Sequence, residues 1–310
     1  MARKQAGPAA GGSPLRGRAA RRRGGVDGHP LTPYLLILPA FALYAVFLLY
    51  PLGQAVQISF YDWNGMTEGT FVGLENYLEI VHNAGLRAAF LHSFVLIFFY
   101  AAIPIGIGLV IAGILNRGRV RGLGFFRTVY FVPQVIALVV AATAWKSIYG
   151  YNGSLNGLLR SLGLGALARD WLGDYTLALP SVGVIGAWVE LGLVVVLLLA
   201  GMARVPEALY EAARLDGAGT VREFFSITIP SVRGEIVVVA TLTIIAALKN
   251  FDLVYMATKG GPGGSTSVPA YQVYAQAFQQ HNVGVAAALG ITLALLIFAV
   301  NLVVNRKGGA

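Results

Sequence analysis

The sequence predicts an all-α fold, a polytopic transmembrane bundle of six helices. Two features of the composition point to it: 56% of the 310 residues are hydrophobic, and only 12% are charged, about half the charged fraction of soluble domains. The mean hydropathy is +0.68. The third feature is six separate segments that each have the ~20 mostly apolar residues needed to cross a bilayer. A soluble chain of this size has too little interior to hide several helices that are apolar on all faces.

The six apolar segments are separated by stretches that carry most of the charge. They cover residues 34–60, 90–115, 128–148, 177–201, 236–257 and 285–304. Four prolines fall within these segments or at their edges, namely Pro39, Pro51, Pro104 and Pro133. Transmembrane helices tolerate proline where neighbouring groups satisfy the freed backbone atoms. We therefore expect kinked helices that pack against one another in a bundle.

The first 33 residues are rich in Arg, Gly, Ala and Pro and contain nothing that could form a core. We interpret residues 1–33 as a disordered, basic cytoplasmic tail whose arginines orient the chain in the membrane. The alternative is a twin-arginine export signal, which requires a short apolar region and a cleavage site with small residues. Here the apolar segment is long and ends in bulky residues such as Tyr50 and Phe60, so we expect it to remain as the first helix.

Lys and Arg are distributed unevenly among the connecting segments. With the N-terminus inside, the inner segments hold seven basic residues in the tail, four between helices 2 and 3, four between helices 4 and 5, and two at the C-terminus, which is 17 of the 23. Basic residues concentrate on the cytoplasmic side of membrane proteins. The sequence therefore predicts a multi-pass protein with both termini in the cytoplasm. The same distribution accounts for the net charge of +9 without a nucleic-acid partner.

The inner segment between helices 4 and 5, residues 202–234, has the pattern of a folded helix–turn–helix. Pro206 suits the first turn of a helix, and Gly217 suits the tight turn that would end it. Thr220 and Glu223 have the spacing of a capping box, which predicts the start of a second helix. We therefore expect a structured element at the inner face of the membrane.

This segment also resembles the EAA motif of the permease subunits of ABC importers. The motif consists here of Glu211-Ala212-Ala213, three residues, Gly217, nine residues, and Ile227-Thr228-Ile229-Pro230, with Ile229 where the family usually has Leu. In the family this loop contains the coupling helix, which docks in a cleft of the ATP-hydrolysing subunit. The resemblance implies a type I ABC importer permease domain over residues 34–305. The residues to which it assigns ATPase coupling are Glu211, Ala212, Ala213, Asp216, Gly217, Ile227 and Pro230.

A second resemblance begins at the end of the fifth helix. Residues 250–255 read NFDLVY, residues 260–263 read GGPG, and residues 271–278 read YQVYAQAF. The stretch is similar to carbohydrate-uptake permeases such as those of glycerol-phosphate, lactose and multiple-sugar importers. The resemblance implies a subunit of an ATP-driven carbohydrate importer in the bacterial inner membrane, surrounded by membrane lipid. Its implied partners are a second permease subunit, a dimer of ATP-binding subunits and an extracellular or periplasmic sugar-binding protein.

Four residues in the predicted helices are candidates for the substrate path: Glu190, Asn250, Asp252 and Tyr255. Ionisable groups inside a membrane are costly and usually functional, and planar polar groups and aromatic faces suit a sugar. Glu190 either lines the path or forms a buried hydrogen bond to a neighbouring helix or to the partner permease. Asp252 has a second interpretation, an ion pair with Lys249, and Glu211 has the same alternative with Arg214.

Several kinds of chemistry lack the residues they need. The chain has no Cys and only four scattered His, so we predict no disulfide, metal site or cofactor, and we interpret His92 as a packing residue. A P-loop has Lys after its last glycine, whereas Gly264 is followed directly by Ser265. We predict no catalytic residues, and ATP hydrolysis must come from a separate subunit.

Two other functions remain as alternatives to the importer. The first is an ion-coupled secondary transporter that uses Glu190, against which the EAA-like loop and the absence of paired broken helices in repeated halves both count. The second is an integral-membrane enzyme, for which no cluster of catalytic groups is visible in the sequence.

Overall fold

The computed structural model describes residues 32–117 and 122–308. The predicted tail over residues 1–33 lies outside them except for Thr32 and Pro33, which belong to the first helix. Arg119 and Arg121 of the predicted inner loop also lie outside the described residues.

Helices dominate the described residues. The α-helices of the first half are α1 (Thr32–Tyr44), α2 (Tyr50–Ile58), α3 (Glu75–His82), α4 (Ala84–Ile97), α5 (Ile103–Arg117), α6 (Leu123–Val135), α7 (Leu138–Tyr149) and α8 (Ser154–Ser161). Those of the second half are α9 (Ala178–Met202), α10 (Glu207–Leu215), α11 (Thr220–Glu223), α12 (Ile229–Ser231), α13 (Arg233–Leu248), α14 (Asp252–Ala257), α15 (Pro269–Tyr274) and α16 (Val283–Gly308).

Short π- and 3₁₀-helical turns join some of these helices. The π-helical turns are Ala45–Leu49, Phe98–Ala102, Phe224–Thr228 and Ala275–Gln279, and the 3₁₀ turn is Gly165–Leu167. Two short strands, β1 (Tyr61–Asp62) and β2 (Thr70–Phe71), form an antiparallel hairpin in which Tyr61 pairs with Phe71.

The chain divides into two compact units, Met1–Pro51 and Leu52–Ala310. The described part of the first unit consists of α1, which contains Pro39, the π-helical turn that follows it and the first two residues of α2. The cores and sites considered below belong to the second unit.

Four helical stretches are long and apolar enough to cross a membrane, namely Pro33–Ile58, Ala84–Asn116, Ala178–Met202 and Val283–Arg306. They confirm the predicted helices 1, 2, 4 and 6. Two bent helix pairs pass the same test, and counting each pair as one span brings the total to six.

The third predicted helix, over residues 128–148, is not continuous. Gly124–Val135 and Leu138–Ser161 meet at 96°, and the backbone of Ile136 and Ala137 between them is extended. Pro133 lies two residues before the end of α6, where it cannot donate the backbone hydrogen bond that would continue the helical ladder.

The fifth predicted helix, over residues 236–257, was also wrong as a single helix. It divides into α13 and α14, with residues 249–251 between them. Asn and Asp side chains compete for backbone hydrogen bonds and favour helix ends, and Asp252 occupies the first turn of α14, where a carboxylate stabilises the helix dipole. Asn250 and Asp252 therefore lie at a break in the span.

α9 is the central helix of the second unit, and most of its residues are buried. One hydrophobic cluster surrounds its N-terminal half and includes Leu96, Tyr100, Ile185 and Val254. A second cluster surrounds its C-terminal half, with α5, α13 and Phe224. Gly192 lets α9 approach α6, because a Cβ atom there would overlap the carbonyl oxygen of Tyr130.

Buried asparagine side chains hold the segments outside the predicted spans in place. Asn76 donates to the carbonyl oxygens of Ser59 and Tyr61, each at 2.9 Å, and the first N–H groups of α16 donate to the carbonyl oxygen of Trp63. Asn156 is fully buried. Its amide donates to the carbonyl oxygens of residues 150, 151 and 169 and accepts from the Arg169 N–H and the Trp171 indole.

Candidate functional site

Loop 202–234 forms the predicted helix–turn–helix. α10 begins after Pro206, and the chain turns at Gly217, whose φ is +79°. The N–H of Ala218 donates to the carbonyl oxygen of Ala213, and the N–H of Gly217 donates to that of Arg214. This reversal satisfies the last carbonyls of α10, and glycine is the residue that adopts its left-handed conformation at least cost.

The predicted capping box at Thr220 and Glu223 was wrong. Gly219 is the N-cap of α11 and provides no side-chain cap. The carboxylate of Glu223 instead accepts a hydrogen bond from Nε of Arg214 at 3.1 Å. Glu223 turns inward because α10 and α11 fold against each other, so a long-range ion pair replaces the local cap.

A second contact holds the same two segments together. The hydroxyl oxygens of Tyr210 and Thr228 lie 3.1 Å apart, and both residues are buried. Buried polar groups that are hydrogen-bonded specify a single arrangement of the segments they join. Loop 202–234 is therefore a structured surface.

Glu211 projects from the exposed side of α10. The alternative pair with Arg214 was wrong, because Arg214 bonds to Glu223. Within residues 32–117 and 122–308, Glu211 has neither an ion-pair partner nor a side-chain hydrogen bond, and it is exposed. Its charge is available to a group on another chain.

Beside Glu211 lies a concavity of about 450 Å³ between α10 and α12. It is lined by Leu209, Ala212, Ala213, Asp216, Ser226, Ile227, Pro230 and Ser231. Five of the seven residues selected from the sequence for coupling line this one surface. Glu211 and Gly217 do not, since Glu211 projects beside it and Gly217 makes the turn.

The loop is also attached to the membrane helices by an ion pair that the sequence analysis missed. Arg204, just beyond α9, contacts Glu235 in the first turn of α13. Gly201 makes room for this contact, because a Cβ atom there would meet the Glu235 side chain. The two residues are 31 positions apart, so no local pattern could reveal the pair.

The interior of the second unit brings together two of the four substrate-path candidates. Glu190 of α9 is only 8% exposed and Asn250 only 6%. Tyr100, in the π-helical turn after α4, packs against α9 one turn before Glu190 and lies beside Asn250. Gly186 makes this possible, since a Cβ atom there would overlap the tyrosine ring. Nδ2 of Asn250 is buried beside the Tyr100 side chain and makes no hydrogen bond of normal geometry among the described residues.

Asp252 and Tyr255 lie on the other side of the break, in α14. Tyr255 stacks on Phe251 with ring centroids 5.2 Å apart and meets Tyr274 edge-on at 5.2 Å. The predicted alternative of a Lys249–Asp252 ion pair was wrong: both residues are exposed, and no such pair forms in the described part of the chain.

The glycine-rich loop after α14 is anchored by hydrogen bonds. Thr266 bonds through its hydroxyl to Thr258, at 2.7 Å, and donates to the carbonyl oxygen of Gly261, at 2.8 Å. Nδ1 of His92 lies 2.8 Å from the carbonyl oxygen of Ser267. His92 is therefore a packing residue that fastens this loop to α4.

Comparison with known proteins places these features in context. The family described as "Binding-protein-dependent transport system inner membrane component" matches residues 31–306. The probable ABC transporter permease protein YurN of Bacillus subtilis is 35% identical over 284 residues, which is 89% of this chain and 96% of that protein. The diacetylchitobiose uptake system permease protein NgcF of Streptomyces coelicolor is 33% identical, over 94% of this chain and 87% of the relative.

A solved structure has a similar fold. It is a bacterial ABC transporter involved in the import of the acidic polysaccharide alginate, with a TM-score of 0.76 and 20% sequence identity, covering 89% of this chain and 94% of that one. At this identity the likeness concerns the fold, and it agrees with the all-α, multi-span architecture described above.

Proposed function

The chain belongs to the family of binding-protein-dependent transport system inner membrane components, and we propose that it is the membrane-spanning permease subunit of an ATP-driven carbohydrate importer. In this proposal residues 34–305 form the permease domain, which shares a translocation path with a second permease subunit. Separate ATP-binding subunits supply hydrolysis and dock on loop 202–234 in the cytoplasm, where both termini also lie. A sugar-binding protein delivers the substrate to the outer face of a bacterial cell membrane.

The observation that carries the proposal is the concave surface on loop 202–234. Ala212 and Ala213 allow a partner to approach α10 closely, and Ile227 and Pro230 offer it an apolar wall. Glu211 beside the concavity is charged, exposed and unpaired among the described residues. A docked subunit with a basic group at this point would remove that charge from water and pair it.

The contacts around the loop also support a route for motion. α10 is held to the segment 220–228 by Arg214–Glu223 and Tyr210–Thr228. That segment continues through a 69° bend into α13, and the Arg204–Glu235 pair ties α13 to α9. A push on α10 would therefore move α9 and α13 together, and these helices carry Glu190 and lead to Asn250. Such two-helix movement is what alternating access requires.

The carbohydrate class rests on the groups at the break between α13 and α14. The Asn250 amide provides a planar donor and acceptor, and the stacked rings of Phe251 and Tyr255 provide aromatic faces. Sugars have both hydroxyl groups and apolar ring faces, which these two kinds of group complement. One relative bears the name of a diacetylchitobiose uptake permease. The family match does not favour an ion-coupled secondary transporter.

Co-purification from mild detergent tests the proposal. Tagged wild-type chain, expressed in its native host, should bring down an ATP-binding subunit and a second permease. Glu211→Arg should lose the ATP-binding subunit and keep the second permease, because the charge reversal repels the basic group expected across the interface. The matched control is Glu68→Arg, an equally drastic change at an exposed carboxylate of the β1–β2 hairpin, which should retain both partners.

Two results would count against the proposal. If wild type brings down no ATP-binding subunit while it remains folded, the importer assignment fails. If Glu211→Arg retains the ATP-binding subunit as well as Glu68→Arg does, the importer assignment can stand but α10 is not the docking element.

A further inference from the structure

A small pocket lies between the end of α2 and the β1–β2 hairpin. Its volume is about 270 Å³, and it is lined by Gln54, Gln57, Ile58, Tyr61, Trp63 and Gly69. Two of these residues carry a side-chain amide and two carry an aromatic ring with a polar tip. None of the lining side chains is charged, so the pocket suits a neutral group that has both polar and apolar surface.

The two amides project from one side of α2. Gln54 and Gln57 are three residues apart, the spacing that places side chains on the same helical face, and both are exposed. Each amide provides hydrogen-bond donors and an acceptor in one plane. Neighbouring hydroxyl groups of a sugar ring, which both donate and accept, complement such a plane.

Aromatic residues of the hairpin provide the other wall. Tyr61 and Trp63 both line the pocket, whereas Asp62 between them does not, because side chains alternate along an extended chain. Both rings are half-buried. Tyrosine and tryptophan combine an apolar body with a polar tip, and an apolar ring complements the C–H face of a sugar.

Contacts within the chain hold this wall in place. The indole N–H of Trp63 donates to the carbonyl oxygen of Thr67 at 2.6 Å, and the carbonyl oxygen of Trp63 accepts from the first N–H groups of α16. Gly69 permits the close approach of the chain, since a Cβ atom there would lie 3.1 Å from Cβ of Trp63. A pocket that is formed in advance binds its ligand with little ordering cost.

The pocket lies where one membrane span ends and another begins. Ile58 is the last residue of the span Pro33–Ile58, and Val283, whose N–H donates to Trp63, is the first residue of the span Val283–Arg306. In the topology of the proposed function this end of both spans is the outer face. A sugar released by the binding protein would therefore meet the pocket before it enters the membrane.

We propose that this pocket binds one ring of a neutral carbohydrate and is an entry subsite, separate from the groups around Asn250. Its volume falls just below the range of pockets for drug-sized ligands, about 300–1,000 Å³, which suits a single sugar ring. The charged residues of the hairpin, Asp62 and Glu68, are acidic, exposed and outside the lining, and like charges disfavour an acidic sugar. The outer placement of the subsite rests on the proposed function.

Fluorine NMR of the purified chain tests the pocket directly and requires no ATPase. The chain has four tryptophans, so fluorotryptophan labelling gives one resonance for each, and Trp63→Phe identifies the resonance of Trp63. In phosphatidylcholine nanodiscs, which carry no sugar headgroup, at least one of maltose, cellobiose and diacetylchitobiose should shift this resonance saturably in the millimolar range. Digalacturonate, an acidic disaccharide, should bind more weakly.

Gln57→Ala should raise the dissociation constant about fivefold, because it removes the hydrogen bonds of one amide. The matched control is Asn152→Ala, which removes another exposed amide, between α7 and α8, and should bind as wild type does. The subsite is overturned if none of the three neutral sugars shifts the Trp63 resonance, or if Gln57→Ala and wild type bind equally well. Stronger binding of digalacturonate would overturn the neutral ligand class.

The assembled complex separates this inference from the proposed function. With the second permease present, the Trp63 resonance should still respond to sugar, and a lost response would make the pocket a subunit interface and overturn the subsite. If sugar binds as expected but no ATP-binding subunit co-purifies, the importer assignment fails and the pocket remains a carbohydrate site. If the partners co-purify and no sugar binds, only the subsite fails.

Discussion

Nε of Arg214 lies 3.1 Å from a carboxylate oxygen of Glu223, nine residues further along the chain. The Glu223 side chain is only 4% exposed, whereas that of Arg214 is 57% exposed. The pair therefore joins the surface of α10 to the interior of the segment that follows it. It also leaves Glu211, three residues before Arg214, free for contact with another chain.

Arg214 and Glu211 should have separable effects. Arg214→Gln removes the cation that Arg214 provides to a buried carboxylate, which should lower the free energy of unfolding by about 1–3 kcal/mol, as for other hydrogen bonds to charged groups. Glu211→Gln removes an exposed charge and should leave the melting temperature unchanged while it weakens capture of the ATP-binding subunit. Thermal unfolding in detergent and co-purification measure the two effects. Equal melting temperatures for both variants would contradict the structural role of the Arg214–Glu223 pair.

Because α9 lies close to Tyr100 at Gly186, we expect this glycine not to tolerate a larger residue. Gly186→Ala places a Cβ atom in the ring of Tyr100, and we expect the overpacking to cost about 1–3 kcal/mol and to reduce the yield of folded protein. Gly290→Ala in α16 is the control, because nothing lies within 4 Å of a Cβ atom there. That substitution should be neutral or slightly stabilising, since alanine is the better helix former. Fluorescence-detected size-exclusion yield and melting temperature would show the difference.

The sequence predicts the apolar spans and the inner helix–turn–helix because both follow from local patterns. Hydropathy identifies a span without any knowledge of its neighbours, and Gly217 marks a turn through its own backbone freedom. The third and fifth predicted helices are broken in the structure because hydropathy carries no information on backbone conformation. Apolar residues predominate around both breaks despite Gln134 next to Pro133 and Lys249 next to Asn250, so the average hydropathy predicts continuous helices.

Long-range pairing accounts for the features of the site that the sequence analysis missed. Arg214 can be identified as the partner of Glu223 only when the packing of α10 against α11 is known. From the sequence alone, the local capping box with Thr220 was the interpretation available for Glu223. The Arg204–Glu235 pair and the packing of Tyr100 beside Glu190 likewise join separate helices. The candidates for the substrate path could be selected from the sequence, because a polar or ionisable residue stands out within an apolar span.

Asn156 should be essential for the fold of the segment between α7 and α9. All of its hydrogen-bonding groups are used within a buried site, so Asn156→Ala leaves backbone carbonyls and the Trp171 indole unsatisfied. Each such group costs about 1–3 kcal/mol, and the segment should become sensitive to limited proteolysis. The control is Asn152→Ala, an exposed position four residues earlier. Equal proteolytic resistance of the two variants would contradict this interpretation.

Asp174, just before α9, should make a pH-dependent contribution to the stability of the fold. Its carboxylate accepts hydrogen bonds from the side chain and N–H of Thr176 and from the N–H of Leu177, and these bonds lower its pKa below the usual value. Because its pKa is lower in the folded state, the ionised Asp174 side chain stabilises the fold. This stabilisation is complete above the unfolded-state pKa of about 4 and is lost as the pH falls through the folded-state pKa. The melting-temperature difference between wild type and Asp174→Ala should therefore be constant from pH 7 to about pH 5 and shrink at lower pH. A difference that grows on acidification would contradict this assignment.

Glu190 and Asn250 provide the test of the substrate path. Both are buried beside Tyr100, and the amide nitrogen of Asn250 makes no hydrogen bond of normal geometry among the described residues. If these groups take part in translocation, Glu190→Gln and Asn250→Ala should assemble with the partners and still hydrolyse ATP, but should import labelled sugar at least about tenfold more slowly, the loss expected when a charged or buried hydrogen bond of ~1.5 kcal/mol or more is removed. Glu68→Gln, at an exposed carboxylate of the β1–β2 hairpin, is the matched control for removing a carboxylate. Should Glu190→Gln lower the melting temperature yet import sugar at the wild-type rate, its carboxylate would be a structural group between helices, and the path would have to be sought among Phe251, Tyr255 and Tyr274.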